Sequence, residues 1–402
     1  MKKVLNQVTS DVKINTGRIA SIDVFRALTM VLMIFVNDLW SIKGVPHWMG
    51  HAAFDEDMLG LSDIVFPAFL FILGMSIPLA IEGRLAKNVS RFSIIKHIVL
   101  RSVALLIMGL FSVNIGSGVS GAVGISRHAF SLVMVICFFI IWNKYKPTEK
   151  RNLKILRTIF QLLAWITLLT LAILYRDPSN GYFQTRWWGI LGLIGWTYLI
   201  CAIIYLFFRN GWTSLALWGV LFTLLCIAHA NQWLGRFTNI LPGNGCFHAF
   251  TIAGLLLSLL FNRSKNGLNI HKKILFSSIA AIALLILGWL SNKFWIISKL
   301  QESPSWLLYC TGISIFSYLF IFWLCDIKNK ANFFNIIKPA GTSTLTCYLV
   351  PSIFYSLFVI LKFNGIYFMS EGLLGIIKCI LFALLAVGVT AFLEKVNIKL
   401  KI

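Results

Sequence analysis

The sequence predicts an all-α integral membrane protein, and three of its properties support that prediction. Of its 402 residues, 58% are hydrophobic and 12% are charged, and the mean hydropathy is +0.83, which is too apolar for a soluble domain of this length. Its apolar runs reach the roughly 20 residues that cross about 30 Å of hydrocarbon as a helix. These runs are continuous, whereas the strands of a membrane β-barrel alternate apolar and polar residues.

About twelve segments are candidate membrane-spanning helices, with 10 to 12 as the expected range. In chain order they are 19–39, 61–81, 97–114, 127–142, 157–175, 188–208, 213–229, 247–262, 274–291, 305–325, 342–361 and 373–393. We expect a single transmembrane domain over residues 1–402, with residues 1–18 as a cytoplasmic N-terminal segment. The first apolar run contains Asp23 and Arg26 and lacks a small-residue cleavage signal, so it is interpreted as an uncleaved helix.

The distribution of basic residues predicts the orientation. With these spans, 27 of the 36 Lys and Arg residues fall on the side of the N-terminus and 8 on the opposite side, which places both termini in the cytoplasm. The net charge of +22 largely reflects this bias, so anionic membrane lipid is the expected partner and nucleic acid is not. The eight cysteines lack CxxC spacing and are interpreted as packing residues, with no metal site or disulfide framework.

The connection between the first two spans is the candidate functional site. The stretch FVNDLWSIKGVPHWMGHAAFDEDMLGLSDIVFPAFLF, from Phe35 to Phe71, contains an amide, two histidines and five of the chain's 14 acids. Solvation of a loop of this length does not require so many carboxylates. A catalytic role is therefore a plausible cause.

Individual residues of this connection allow more than one interpretation. Asp63 lies just inside the second span, where a carboxylate is costly unless it is paired or faces a wet cavity; the alternative is that Ser62 or Asp63 caps the helix. His51 and His47 compete for the role of general base, because imidazole titrates near neutrality. Residue chemistry alone leaves that choice open, and either histidine could be purely structural.

Two parts of the chain resemble one known family. The run RIASIDVFRALTMVLMIFVND, then GHAAF, then LSDIVFPAFLFILGMSI closely resembles the opening of the transmembrane heparan-α-glucosaminide N-acetyltransferase family. The late runs LLYCTGISIFSYLFIFWLCDIK and GTSTLTCYLVP are similar to that family's C-terminal helices. The chain departs from that family's usual pattern in three places, which lie away from the His51 segment and bear mainly on the identity of the acceptor substrate. These are Ala27, the pair Gly192 and Leu193, and the run LPGNGCFHAFTIAGLLLS.

The resemblance implies acetyl transfer from cytosolic acetyl-CoA to an amino sugar or glycan on the periplasmic side of a bacterial inner membrane. On the matching positions, His51 is the catalytic histidine and Asn37 is the polar partner beside the acetyl group, whereas His47 has no counterpart. A homodimer is suggested by family likeness alone. The resemblance leaves open N- or O-acetylation.

The expected mechanism uses His51 as general base or as acetyl carrier, Asp63 or Asp38 to orient it, and the Asn37 amide as oxyanion donor. The phosphates of acetyl-CoA need cations on the cytoplasmic side, and Ser343, at a helix start, either lines the same cavity or caps its helix. The candidate cations are Arg26, Arg18, Arg84, Arg91 and Arg101. No metal is expected.

Two rival functions remain. A polyprenyl-phosphate-dependent glycosyltransferase would use Asp55 and Asp57 of FDEDM to bind a divalent metal, and His51 would then be dispensable. A secondary transporter would use the intramembrane charges as a substrate path, although no internal two-fold repeat is detectable in the sequence.

Overall fold

The computed structural model describes residues 20–116, 118–119, 124–235, 241–262, 268–363 and 369–402. Thirteen α-helices make up this part of the chain, together with short 3₁₀ and π segments and two isolated β-bridges. The helices are α1 Ala20–Leu39, α2 Leu61–Leu85, α3 Arg91–Gly116, α4 Arg127–Trp142, α5 Arg151–Leu174, α6 Gly189–Phe208, α7 Trp212–Ala230, α8 Cys246–Asn262, α9 Ile270–Ser291, α10 Pro304–Phe322, α11 Lys338–Thr342, α12 Thr344–Ile360 and α13 Gly372–Lys395.

The prediction of a polytopic helical membrane protein is confirmed. Each of the twelve predicted spans corresponds to one apolar helix, and α11 is the only short addition among the described residues. Nine of the described helices are long and apolar enough to cross a membrane, with α10 counted together with the π segment that continues it to Ile327. Helices α4, α8 and α12 are apolar but have only 16 or 17 residues.

The helix ends differ from the predicted segments where polar residues extend an apolar core. Helix α2 continues to Leu85 and α3 begins at Arg91, because charged residues at the membrane surface continue the helical hydrogen bonding beyond the apolar run. The predicted segment 342–361 is interrupted, because Ser343 has non-helical backbone angles (φ −127°, ψ 48°) between α11 and α12.

Helix α2 is the central helix of the described bundle. About 72% of its membrane-spanning window is buried, compared with 17% for α5 and for α7, which are peripheral. Glycine allows α2 to approach α8 closely: a Cβ on Gly74 would lie 1.9 Å from the Thr251 carbonyl oxygen, and one on Gly254 would lie 1.9 Å from that of Phe71. Small residues at such crossings let membrane helices pack backbone to backbone. These two crossings pack α2 directly against α8 in the middle of the helix.

The bundle has two ends, which we name by their residues. The His51 face contains the loop of residues 40–60, the end of α9 and the start of α10. The basic face contains the start of α1, the end of α2 and residues 395–402. Contacts between distant segments define each face, since Asn292 is joined to Asp57 at the His51 face and Ser343 to Glu394 at the basic face.

Candidate functional site

The loop of residues 40–60, here called the His51 loop, is folded tightly onto the start of α2. It contains one 3₁₀ turn, His47–Met49, and the Ser62 hydroxyl donates a hydrogen bond to the Met49 carbonyl oxygen at 2.7 Å. Glycine is required where the loop returns, because a Cβ on Gly60 would lie 2.2 Å from the carbonyl oxygen of Gly50. This close approach of Gly60 to Gly50 sets the position of His51, the residue that follows Gly50.

His51 and Asp63 form a hydrogen-bonded pair. The Nδ1 atom of His51 lies 2.6 Å from Oδ1 of Asp63, and the backbone N–H of Ala52 donates to Oδ2 of Asp63 at 2.9 Å. The Asp63 side chain is 3% exposed, whereas that of His51 is 34% exposed. An ionised carboxylate can only accept, so the pairing assigns the ring proton to Nδ1 and leaves Nε2 with a free lone pair. This arrangement suits a general base.

Asp63 does not cap its own helix. The N-cap residue of α2 is Gly60, and the Asp63 side-chain oxygens are directed to His51 and Ala52 instead. The Asp63 backbone is also held, because the buried indole N–H of Trp306 in α10 donates to the Asp63 carbonyl oxygen at 3.0 Å. The Asp63 carboxylate is thus held by the Ala52 N–H, and the Asp63 backbone is held by Trp306. Together these contacts fix the orientation of the imidazole that is bonded to Asp63.

A second loop, residues 292–303, closes over the His51 loop and is here called the clasp loop. Asp57 accepts hydrogen bonds from it through both carboxylate oxygens, and the Phe54 carbonyl oxygen accepts two more. The donors are Ile297 N (2.7 Å) and Asn292 Nδ2 (3.2 Å) to Asp57, and Gln301 Nε2 (2.8 Å) and Ser298 Oγ (3.3 Å) to Phe54. Asp57 therefore joins the two loops.

The clasp loop also brings a cation to the pair. Lys299 Nζ lies 3.4 Å from His51 Nδ1 and 3.8 Å from Asp63 Oδ1. Burial lowers the pKa of Lys299, and the nearby Asp63 charge opposes that shift. Sequence reasoning did not single out Lys299, because it lies 248 residues from His51 and belongs to no recognised motif.

The other residues of the polar connection lie elsewhere. His47 pairs with Glu56 at 2.5 Å, and the Ala53 N–H together with His47 lowers the pKa of the Glu56 carboxyl. The buried Asp38 carboxylate accepts a hydrogen bond from the Tyr355 hydroxyl at 2.9 Å and lies 3.7 Å from Lys378 Nζ. The structure therefore brings Asp63, rather than Asp38, to His51. Asn37 is exposed in the last turn of α1.

A cavity of about 1090 Å³ opens from the basic face into the bundle. It follows α1 from Ile22 to Met33, which is about 16 Å at the rise of an α-helix. The part of its wall nearest the His51 face is apolar and includes Met33, Phe69 and Leu191; it is here called the upper wall. On α1 the lining ends four residues before Asn37, about one helical turn from the His51 face.

Cations dominate the polar lining of this cavity. Of the six predicted donor-binding residues, Arg26, Arg101 and Ser343 line it, Arg84 and Arg91 do not, and Arg18 lies outside the described residues. Arg84 contacts His97 at 2.6 Å, and Arg91 is exposed at the start of α3. Four further cations line it that sequence reasoning did not single out: Lys144, Lys273, Lys399 and Lys401.

These cations are positioned by separate parts of the chain. Arg26 donates to the Ser76 hydroxyl at 2.7 Å and lies 3.4 Å from Asp23, while Arg101 lies over the Tyr198 ring at 4.6 Å. Residues 399–401 are hydrogen-bonded along their backbone to residues 142–144 and to Thr346. The cavity can therefore accept a polyanion at its mouth and an apolar or slender chain further in.

The acids of FDEDM do not form a metal centre in the described structure. Asp57 is engaged by the clasp loop and Glu56 by His47, while Asp55 is exposed. In the described part of the chain, no three His, Cys, Asp or Glu side chains come together as candidate metal ligands.

Fold and site thus define a class: a polytopic helical membrane protein with a paired histidine at one face and a cationic cavity opening from the other. The chain belongs to the family described as "Domain of unknown function (DUF5009)", whose model matches residues 18–242. That region includes the His51 loop, the start of α2 and both walls of the cavity formed by α1 and α2.

Two characterised proteins are similar to part of the chain. Human heparan-alpha-glucosaminide N-acetyltransferase is 37% identical over 98 residues, and the mouse protein of the same name is 36% identical over 101 residues. These matches cover 24% and 25% of this chain and 14% of each relative. The chain is therefore a relative of the heparan-α-glucosaminide N-acetyltransferase family, although the similarity covers a small part of those longer proteins.

Proposed function

We propose that this protein is a membrane-embedded acetyltransferase that moves an acetyl group from acetyl-CoA to an amino sugar or glycan on the opposite side of the membrane. The observation that supports it most strongly is the His51–Asp63 pair, at 2.6 Å, in a chain related to N-acetyltransferases. The basic face is cytoplasmic in this proposal, both termini lie there, and the membrane is a bacterial inner membrane.

The residues of the cavity suit the donor. Six cations and one acid line it, so the phosphates of a coenzyme A ester would find charge-assisted hydrogen bonds near Arg101, Lys144 and Lys273. Its volume of about 1090 Å³ is slightly above the usual range for small-molecule sites, about 300 to 1,000 Å³, which suits a large ligand such as a coenzyme A ester. The apolar upper wall suits the slender arm that bears the thioester.

The chemistry assigned to the chain's own residues is proton transfer and charge stabilisation. Nε2 of His51 takes the proton from the acceptor amine or hydroxyl as the new bond to the acetyl carbon forms, and the thiolate leaves. Asp63 stabilises the resulting imidazolium and holds the tautomer. Asn37 is assigned as a donor to the developing oxyanion. Formation of an acetyl-imidazole at His51 is the alternative sequence of the same steps.

The direct test is transfer of label from radiolabelled acetyl-CoA to glucosamine by the purified protein. His51→Ala should lose transfer by about 10²-fold or more, whereas His47→Ala should stay close to wild type. EDTA should leave the rate unchanged. Full transfer by His51→Ala would remove the catalytic assignment, and loss of activity with EDTA would favour the glycosyltransferase that uses Asp55 and Asp57.

A further inference from the structure

Lys299 places an ammonium group beside the His51–Asp63 pair. Its Nζ atom lies 3.4 Å from His51 Nδ1 and 3.8 Å from Asp63 Oδ1, and its side chain is 26% exposed. The clasp loop holds it there, because the residues on both sides of it, Ser298 and Gln301, are bonded to the Phe54 carbonyl oxygen.

The proton on Nδ1 of His51 limits how Lys299 can interact with the ring. Nδ1 of His51 has one site, which is occupied by the proton shared with Asp63 at 2.6 Å. Lys299 therefore cannot donate a hydrogen bond to that nitrogen and acts on the ring through its charge. The Lys299 ammonium charge acts on two neighbours. It stabilises the Asp63 carboxylate, and it disfavours a second proton on the His51 imidazole.

We propose that Lys299 is a positioning residue that keeps Asp63 ionised and His51 uncharged before the reaction, so that Nε2 is available as the base. This role rests on the proposed acetyl transfer for its catalytic meaning. The electrostatic effect on His51 is a separate property of the site and can be measured without turnover.

The charges that face the pair come from three elements. Asp63 of α2, at 2.6 Å from Nδ1 of His51, favours a protonated imidazole, and Lys299 of the clasp loop, at 3.4 Å from the same nitrogen, opposes it. Glu56 of the His51 loop is paired with His47, and the Cys310 thiol of α10 lies 4.0 Å from the Asp63 carbonyl oxygen. Without Lys299 the negative charge of Asp63 is unbalanced, so His51 is expected to retain its second proton to higher pH.

The charge of Lys299 also depends on pH. Burial lowers its pKa below the usual value for lysine, and the nearby Asp63 charge opposes that shift, so its ammonium charge is lost at lower pH than that of an exposed lysine. Lys299→Arg keeps the charge at all accessible pH values, so it is the variant that should preserve the effect on His51.

The test compares Lys299→Met, Lys299→Arg and wild type in two measurements on the purified full-length protein. The first is the reaction of His51 with diethyl pyrocarbonate, which modifies the uncharged imidazole, followed as a function of pH, with the signal of His51→Ala subtracted. The second is the pH profile of acetyl transfer. Lys293→Met is the matched control, since Lys293 is exposed on the same loop and lies over the Trp289 ring.

We expect Lys299→Met to move the midpoint of His51 modification upward by about one pH unit, with the acid limb of transfer moving in the same direction. Lys299→Arg and Lys293→Met should keep the wild-type midpoint. If methionine prevents folding, Lys299→Gln takes its place. An unchanged midpoint in the uncharged variant would overturn the role of Lys299. Absence of transfer by wild type would overturn the proposed function instead, while the modification curve would still decide this inference.

Discussion

At the scale of single residues, the site depends on which carboxylate faces His51. Asp63 and Asp38 are both buried in helix ends next to the same loop, but Asp38 is turned toward Tyr355 and Lys378. Asp63 reaches the ring nitrogen at 2.6 Å. The two acids should therefore behave differently although they look equivalent in the sequence.

Asp63→Asn is expected to reduce acetyl transfer by about 10²- to 10⁴-fold. The amide keeps the shape of the side chain but can donate to Nδ1, which places the ring proton on Nε2 and removes the base. The measurement is the transfer rate at saturating substrate. Glu56→Gln is the matched control on the His51 loop, since Glu56 contacts His47 rather than His51; an equal loss in both variants would contradict the assignment.

Two arginines of α3 allow the proposed donor site to be tested. Arg101 and Arg91 are on the same helix, but only Arg101 lines the cavity. Arg101→Gln should raise the KM for acetyl-CoA about tenfold with kcat little changed, because a charge-assisted contact to phosphate is lost. Arg91→Gln should leave KM unchanged. Steady-state kinetics with varied acetyl-CoA checks both, and equal KM values would argue against the cavity as donor site.

At the scale of elements, the contact between the His51 loop and α2 carries the geometry. Gly60→Ala places a Cβ 2.2 Å from the Gly50 carbonyl oxygen and 3.2 Å from Asp63 Oδ2, so the loop must move away from α2. We expect transfer to fall by about tenfold or more. In Gly83→Ala, at the other end of α2, the new methyl meets nothing within 4 Å, and both activity and the melting temperature should be retained. Equal activity of the two variants would contradict the account.

The clasp loop also contains a carboxyl group that makes stability depend on pH. Burial raises the pKa of Glu302 to about 7, against a hydrogen bond from Asn244 that lowers it. The folded protein therefore binds this proton more tightly than the unfolded chain, so the stabilisation is present below about pH 4.5 and is lost as pH rises through about 7. Glu302→Gln should raise the melting temperature at pH 8 more than at pH 5. A larger rise in melting temperature at pH 5 than at pH 8 would show that ionisation of Glu302 does not destabilise the folded protein.

The elements that could be predicted from the sequence are those encoded locally. Continuous apolar runs predicted the twelve apolar helices of the described structure, and their charged flanks explain the errors at the ends of α2 and α3. The break at Ser343 follows from packing, since a Cβ on the neighbouring Gly341 would lie 2.7 Å from the Asp23 carbonyl oxygen of α1. No local pattern encodes such a contact.

For the candidate site, the sequence likewise indicated the loop and its histidine but not the partners that surround them. The concentration of acids pointed to the His51 loop, and the resemblance pointed to His51 itself. The choice of Asp63 over Asp38 depends on how α1 is rotated against α12 and α13, which one sequence does not reveal. Lys299, Lys144 and Lys273 join their sites from distant segments, so only the folded bundle brings them there.

At the scale of the whole molecule, the proposed reaction brings two substrates together from opposite sides of the membrane. The cationic cavity opens at the basic face, and His51 lies at the other face, one helical turn or more beyond the end of the cavity lining. The excess of Lys and Arg predicts that the basic face is cytoplasmic. Transfer should therefore be sided, and an enzyme that used both substrates from the same compartment would need a different arrangement.

The most direct measurement is acetyl transfer in sealed inside-out vesicles, with radiolabelled acetyl-CoA outside and glucosamine enclosed. We expect labelled N-acetylglucosamine inside the vesicles for wild type and His47→Ala, and loss of that product by about 10²-fold or more for His51→Ala. Product that forms only when both substrates are on the same side, or that persists in His51→Ala, would contradict it.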